Sequence, residues 1–134
     1  MSKTCEYARQ IDASIAKLPP LSKWEEKMTY PTEAIHTLSL MSELLNHKGL
    51  KASETGRSVG CLLPYIDVDD FAIGIGFDFA LDSYLTVDHD VKKPELSLWG
   101  TEENNPLFMD AQYYNVDDWK RAFKEVLKVD VKAL

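Results

Sequence analysis

The chain of 134 residues is 45% hydrophobic and 28% charged, with a net charge of −7, a balance that excludes intrinsic disorder and fibrous or low-complexity architectures. Its length suits a single domain over residues 1–134 that buries a core without disulfides or metals as staples. No run approaches the roughly 18 apolar residues of a membrane span, and the opening MSKTCEYARQIDASIAK scatters charges where a secretory leader needs an apolar stretch, so cytoplasmic residence is expected.

In chain order, Tyr7, Ala8, Ile11, Ile15 and Leu18 recur at three- and four-residue steps, the spacing of one helical face. Pro19-Pro20 ends that helix, because proline lacks the backbone donor and pushes its predecessor out of helical geometry. The stretch SKWE from Ser22 to Glu25 has the form of a capping box and predicts a short helix to Met28. After Tyr30-Pro31, Thr32 is read as the cap of a helix carrying Ile35, Leu38, Met41 and Leu45, with Gly49 as the left-handed residue that closes it. Residues 1–49 are therefore mainly helical. Lys51 to Ser58, KASETGRS, reads as a polar loop.

From Val59 the period changes. In FAIGIGFDF, Phe71, Ile73, Ile75, Phe77 and Phe79 alternate with Ala72, Gly74, Gly76 and Asp78, which predicts a strand with one apolar and one nearly bare side. Tyr84 to Val91 alternates too, Leu96 to Trp99 follows as a short strand, and Gly60 to Val68 and Leu107 to Tyr114 supply further strands. The intervals are too short for helical crossovers, so residues 59–114 form an antiparallel sheet of about four or five strands. NVDDWKRAFKEVLK then predicts a closing helix over 115–129, capped by Asn115 or Asp117, with Val116, Trp119, Phe123, Val126 and Leu127 inward. The fold class is α+β, with N-terminal helices and one C-terminal helix packed against the sheet.

Charge is distributed unevenly along this plan. Residues 1–65 carry +1, residues 66–118 carry −11 and residues 119–134 carry +3. The stretch YIDVDDFAIGIGFDFALDSYLTVDHD, from Tyr65 to Asp90, holds Asp67, Asp69, Asp70, Asp78, Asp82, Asp88 and Asp90 and no lysine or arginine. A one-signed surface repels nucleic acid and anionic membrane and steers a cationic partner. Two readings fit these acids: solvated turn and strand-end aspartates, or a recognition surface for a basic protein. Tyr65, Tyr84, Trp99, Tyr113 and Tyr114 lie in the same region, and tight interfaces combine aromatic anchors with charges that speed encounter.

Chemical alternatives have weaker patterns. Asp67, Asp69, Asp70, Asp88, His89 and Asp90 are oxygen and nitrogen donors suited to a divalent cation, but DVDDFAIG lacks the glycine and terminal glutamate of an EF-hand loop. GIGFDF has Phe79 where a dinucleotide fingerprint needs its third glycine. Cys61 and His89 show no spacing that selects them as nucleophile and base, and His36 and His47 are out of phase for joint metal ligation. Cys5 and Cys61 lack C-x-x-C spacing and are read as reduced thiols. No cofactor is called for.

The acidic, aromatic-bearing sheet and the ending MDAQYYNVDDWKRAFKEVL, a strand running into an Asp-capped helix with Trp and Phe inward, resemble the small acidic immunity proteins that bacteria encode beside secreted toxins, including those of contact-dependent growth inhibition. The resemblance covers the second half of the chain. It implies a non-enzymatic protein that neutralises one cognate toxin, often a nuclease with a basic groove, through Asp67, Asp69, Asp70, Asp82, Asp88 and Asp90, with Tyr84 and Tyr114 as anchors. The alternatives are a small metal-dependent hydrolase using the Asp cluster and a phage-type inhibitor that mimics nucleic acid.

Overall fold

A computed structural model of the chain describes residues 3–20, 31–54, 56–57, 64–76 and 94–131. The first helix, α1, runs Lys3–Ala16 and buries Ala8, Ile11 and Ile15, one stripe of its surface. Pro19-Pro20 follows it, as the sequence predicts, and Leu18 tucks into the core. The predicted helix over Ser22 to Met28 lies outside the described residues.

The second helix, α2, spans Thr32–His47. Its N-cap is Pro31 in extended geometry, and no side chain caps it, so Thr32 is the first helical residue rather than the expected cap. The C-terminus ends in a Schellman motif: Gly49 sits at φ +94, its amide donates to the Asn46 carbonyl, and the Leu50 amide reaches back to Leu45 at 3.0 Å. Beyond Leu38, Met41 and Leu45, α2 also buries Ala34, Thr37, Leu40, Ser42 and Leu44. The stripe is wide because α2 is sandwiched, with α1 on one side and the sheet on the other. Between the helices, the Ser14 and Thr37 hydroxyls lie 2.6 Å apart, and Thr37 also donates to the Glu33 carbonyl at 2.7 Å. That pairing lets two polar side chains sit in the core without a desolvation penalty.

Among the described residues, five antiparallel strands in sequential order make the sheet: β1 Gly56–Arg57, β2 Pro64–Val68, β3 Phe71–Gly76, β4 Glu95–Gly100 and β5 Ala111–Asn115. The α+β class with helices N-terminal and C-terminal to an antiparallel sheet is thus as the periodicity indicates. One strand arises where a loop was expected: Gly56 and Arg57 pair with Tyr65 and Pro64, and Ala52 bridges Val68. The predicted strand Tyr84 to Val91 lies outside the described residues, as does the Phe77 to Phe79 end of the Phe71 strand.

Register fixes the two faces. Ile66, Ile73 and Leu98 are cross-strand neighbours, as are Ile75, Leu96 and Tyr114, and this face is covered by the helices. Tyr65, Gly74, Ser97 and Tyr113 share the other face, where the Tyr65 and Trp99 rings lie 6.4 Å apart. The side predicted to be bare is not open, for Ala72, Gly74 and Gly76 are all buried.

The C-terminal helical segment is composite: a 3-10 turn Val116–Asp118, an α-helical turn Trp119–Ala122, labelled α3, and a wider π-type turn Phe123–Leu127. Asn115 caps it, its side chain accepting from the Asp117 amide at 3.1 Å. Val116, Trp119, Phe123 and Leu127 face the core, Trp119 and Phe123 meeting edge-to-face at 5.3 Å, while Val126 is half-buried. The Trp119 indole N–H donates to Asp12 Oδ1 at 2.8 Å, tying this segment to α1. Among the described residues, no helix is long and apolar enough to cross a membrane.

Candidate functional site

The β2–β3 connection is two residues long, and its shape follows from Asp69. This residue takes a left-handed conformation at φ 52, which aspartate tolerates better than most side chains. Its amide donates to the Lys51 carbonyl at 3.0 Å, while its own Oδ1 accepts from the Lys51 amide at 3.0 Å. Ser53 adds two bonds to Asp67, its amide donating to the Asp67 carbonyl and its hydroxyl accepting from the Asp67 amide. Segment 51–54 is thereby fastened along one flank of the turn.

Loop 101–110 fastens the other flank. The Asp70 carbonyl accepts from the Thr101 amide at 2.8 Å and from Asn105 Nδ2 at 2.9 Å. Gly100 allows this closeness: a Cβ there would stand 2.6 Å from Asn105 Cγ and 2.7 Å from the Phe108 amide nitrogen. Loop and turn are therefore one packed unit.

This unit gathers acids. Segments 51–54, 67–70 and 101–110 contain Glu54, Asp67, Asp69, Asp70, Glu102, Glu103 and Asp110 against one base, Lys51. All seven are exposed, and among the described residues none of them forms an ion pair. The loop also presents Met109, 87% exposed and in left-handed geometry at φ 77. Such geometry is unfavourable for a long side chain and is held here by the bonds of the loop around it.

Next to this end, the helical layer leaves a corner of the sheet's inner face uncovered. Phe71, Gln112 and Tyr114 floor a cavity of about 510 Å³ walled by Asn105, Pro106 and Leu107 on one side and by Glu125, Val126 and Lys128 on the other. Tyr114 donates its hydroxyl to Glu125 Oε2 at 2.9 Å, and the Lys128 ammonium bonds the Glu125 carbonyl at 2.9 Å. The Arg121 guanidinium lies 5.2 Å over the Tyr114 ring. Burial pushes the Tyr114 phenol above its ordinary value, and the hydrogen bond and charge of Glu125 add to the rise, with Arg121 opposing it. The π-type turn and Lys128 at φ 60 shape this wall, since an extra residue per turn re-aims the side chains that follow.

Of the residues the sequence nominates, Asp67, Asp69 and Asp70 come together at this end, all exposed. Asp82, Tyr84, Asp88 and Asp90 lie outside the described residues, together with Cys61 and His89. Tyr114 requires a correction: it is 8% exposed and belongs to the core cluster, because its register opposite Leu96 turns the ring under the helical layer. It is part of the cavity floor and not a projecting anchor. Tyr113, its neighbour on the opposite face, is 37% exposed. Cys5 is buried, and His36 and His47 are exposed. Among the described residues, no three His, Cys, Asp or Glu side chains are grouped to hold a metal ion.

Sequence reasoning missed the contribution of Glu102, Glu103 and Asp110 to the acidic end, and it missed the cavity. Gln112 carries the signal for the latter: a polar residue at an inward register position marks a place where the cover is incomplete. No family model, curated protein or solved structure matches the chain.

Proposed function

We propose that this chain is a cytoplasmic, non-enzymatic binding protein that neutralises a basic protein partner, as an immunity protein blocks a cognate bacterial toxin. The observation that supports this reading is the acidic end of the sheet, where Asp67, Asp69 and Asp70 stand beside Glu102, Glu103 and Asp110, exposed and without ion pairs among the described residues. Like charges gathered on a rigid unit repel one another, and a partner of opposite sign relieves that repulsion on docking. A nuclease fits the charge well, since its groove collects Lys and Arg to hold phosphates and an acidic surface competes for the same field. Rigidity matters as much as charge. The turn is fastened on both flanks, so little ordering entropy is lost when a partner binds.

The test is the association rate with a basic toxin nuclease domain taken as a candidate partner, followed as salt is raised. The rate should fall steeply with ionic strength, and Asp69→Asn with Asp70→Asn should lower it further at low salt. Asparagine tolerates the left-handed backbone at position 69 and keeps the oxygen that accepts from Lys51, so the turn survives the change. A rate indifferent to salt would overturn the reading.

A further inference from the structure

We infer that the cavity beside the acidic end receives an apolar side chain, aromatic or leucine-like, carried on a basic segment of the partner. The inference rests on the function proposed above and adds the anchor to the steering. In tight interfaces a few buried side chains supply most of the affinity, and each seats in a preformed hole ringed by polar groups that exclude water. The acids alone cannot do this. Exposed charges set the encounter rate, but screened pairs at a rim contribute little to holding the complex.

Four observations put the hole on this chain. The cavity is about 510 Å³, within the ordinary range of ligand sites of roughly 300–1,000 Å³. Its apolar lining comes from Phe71, Pro106, Leu107, Tyr114 and Val126, and several of the polar groups beside them are engaged: Tyr114 with Glu125, Lys128 with the Glu125 carbonyl, and Asn105 with the Asp70 carbonyl and the Leu107 amide, while Gln112 adds an exposed amide to the floor. A charged head entering there would find few free partners, whereas an apolar group displaces water from apolar walls. The floor and one wall are continuous with the acidic unit, for Phe71 follows Asp70, and Asn105 to Leu107 belong to the same loop as Glu102, Glu103 and Asp110. Charge complementarity then selects the carrier: lysine or arginine on the loop side of the inserted group would face those acids, while Lys128 and Glu125 bond to each other on the opposite wall. Tyr114, nominated from sequence as the projecting anchor, takes the reverse part and lines the hole.

The experiment compares short synthetic peptides, binding being read by fluorescence anisotropy and by the methyl resonances of Leu107 and Val126. One peptide carries a central phenylalanine between lysine and arginine residues, a second has alanine in its place, and a third keeps the phenylalanine between glutamates. The basic phenylalanine peptide should bind on the order of tenfold more tightly than the alanine peptide and shift both sets of methyls, and the acidic peptide should bind weakest. Filling the cavity by Val126→Trp should abolish the difference between the two basic peptides. Gln112→Trp, at an exposed position on the same floor, does the same job if the first variant melts at lower temperature. Equal, salt-sensitive binding of the two basic peptides with unmoved methyls would overturn the pocket and leave the acidic-surface reading standing. No binding of either basic peptide at low salt would overturn both, and tight binding of the acidic peptide would overturn the choice of a basic carrier.

Discussion

Two regions of this molecule treat their carboxylates in opposite ways. Around the C-terminal helical segment, acids are paired: Asp12 with the Trp119 indole at 2.8 Å and Lys120 at 3.3 Å, and Asp118 and Glu125 with Arg121 at 3.5 and 3.9 Å. At the β2–β3 end, seven acids share one lysine and, among the described residues, no ion pair. Surface pairs of this kind are worth little individually. The difference still instructs, because cations stand beside acids in one region and, among the described residues, leave the other uncompensated. The carboxylates around the C-terminal segment have cationic partners within the fold, whereas those of the β2–β3 end, including Asp69 with its bond from the Lys51 amide, keep their negative charge for something else to meet.

The comparison can be broken hardest on its paired side. Trp119 is fully buried and carries the hydrogen bond to Asp12, so Trp119→Ala should destabilise the protein by about 3–5 kcal/mol, read from denaturant midpoints at constant slope. If the loss were under about 1 kcal/mol, Trp119 would not be what ties the segment to α1. On the unpaired side the sensitive point is backbone packing. Gly100→Ala should cost about 1–3 kcal/mol, since the added methyl meets the Asn105 side chain and the Phe108 backbone, and it should detach loop 101–110 from the turn, visible as faster amide exchange at Thr101. The smallest effects decide the sign. Asp118→Asn removes an exposed ion pair at a helix N-terminus and should lower stability by a few tenths of a kcal/mol, about 0.5 at most. Asp70→Asn removes only like-charge repulsion and should raise thermal stability slightly at low salt, with the gain vanishing as salt is added. Two shifts of the same sign would mean that the two groups of acids are not different in kind.

Much of the architecture was legible because it is written in period. The apolar steps of α1, the Gly49 stop of α2, the alternation of Phe71 to Gly76 and the Asn115 cap each express local physics that acts within a few residues. Thr32 misled because Pro31 competes for the cap position and its fixed φ suits it. Residues 56 and 57 misled because a two-residue edge strand has no period to detect; only its partner, β2, defines it. The site was half legible. Asp67, Asp69 and Asp70 are close in sequence and had to stay close in space, whereas Glu102, Glu103 and Asp110 joined them through the pairing of β3 with β4 and the two bonds to the Asp70 carbonyl.

By itself, then, the sequence determined α1, α2, the strands of the sheet centred on Phe71–Gly76 and the sign of the charge in the middle of the chain, because propensity, periodicity and formal charge are properties of neighbours along the backbone. Tertiary structure alone decided which acids stand together, that Tyr114 turns inward, and that the helical layer stops short of Gln112 and opens a cavity. Those outcomes depend on register and on how far one layer extends over another, and both are set by contacts between residues far apart in the chain.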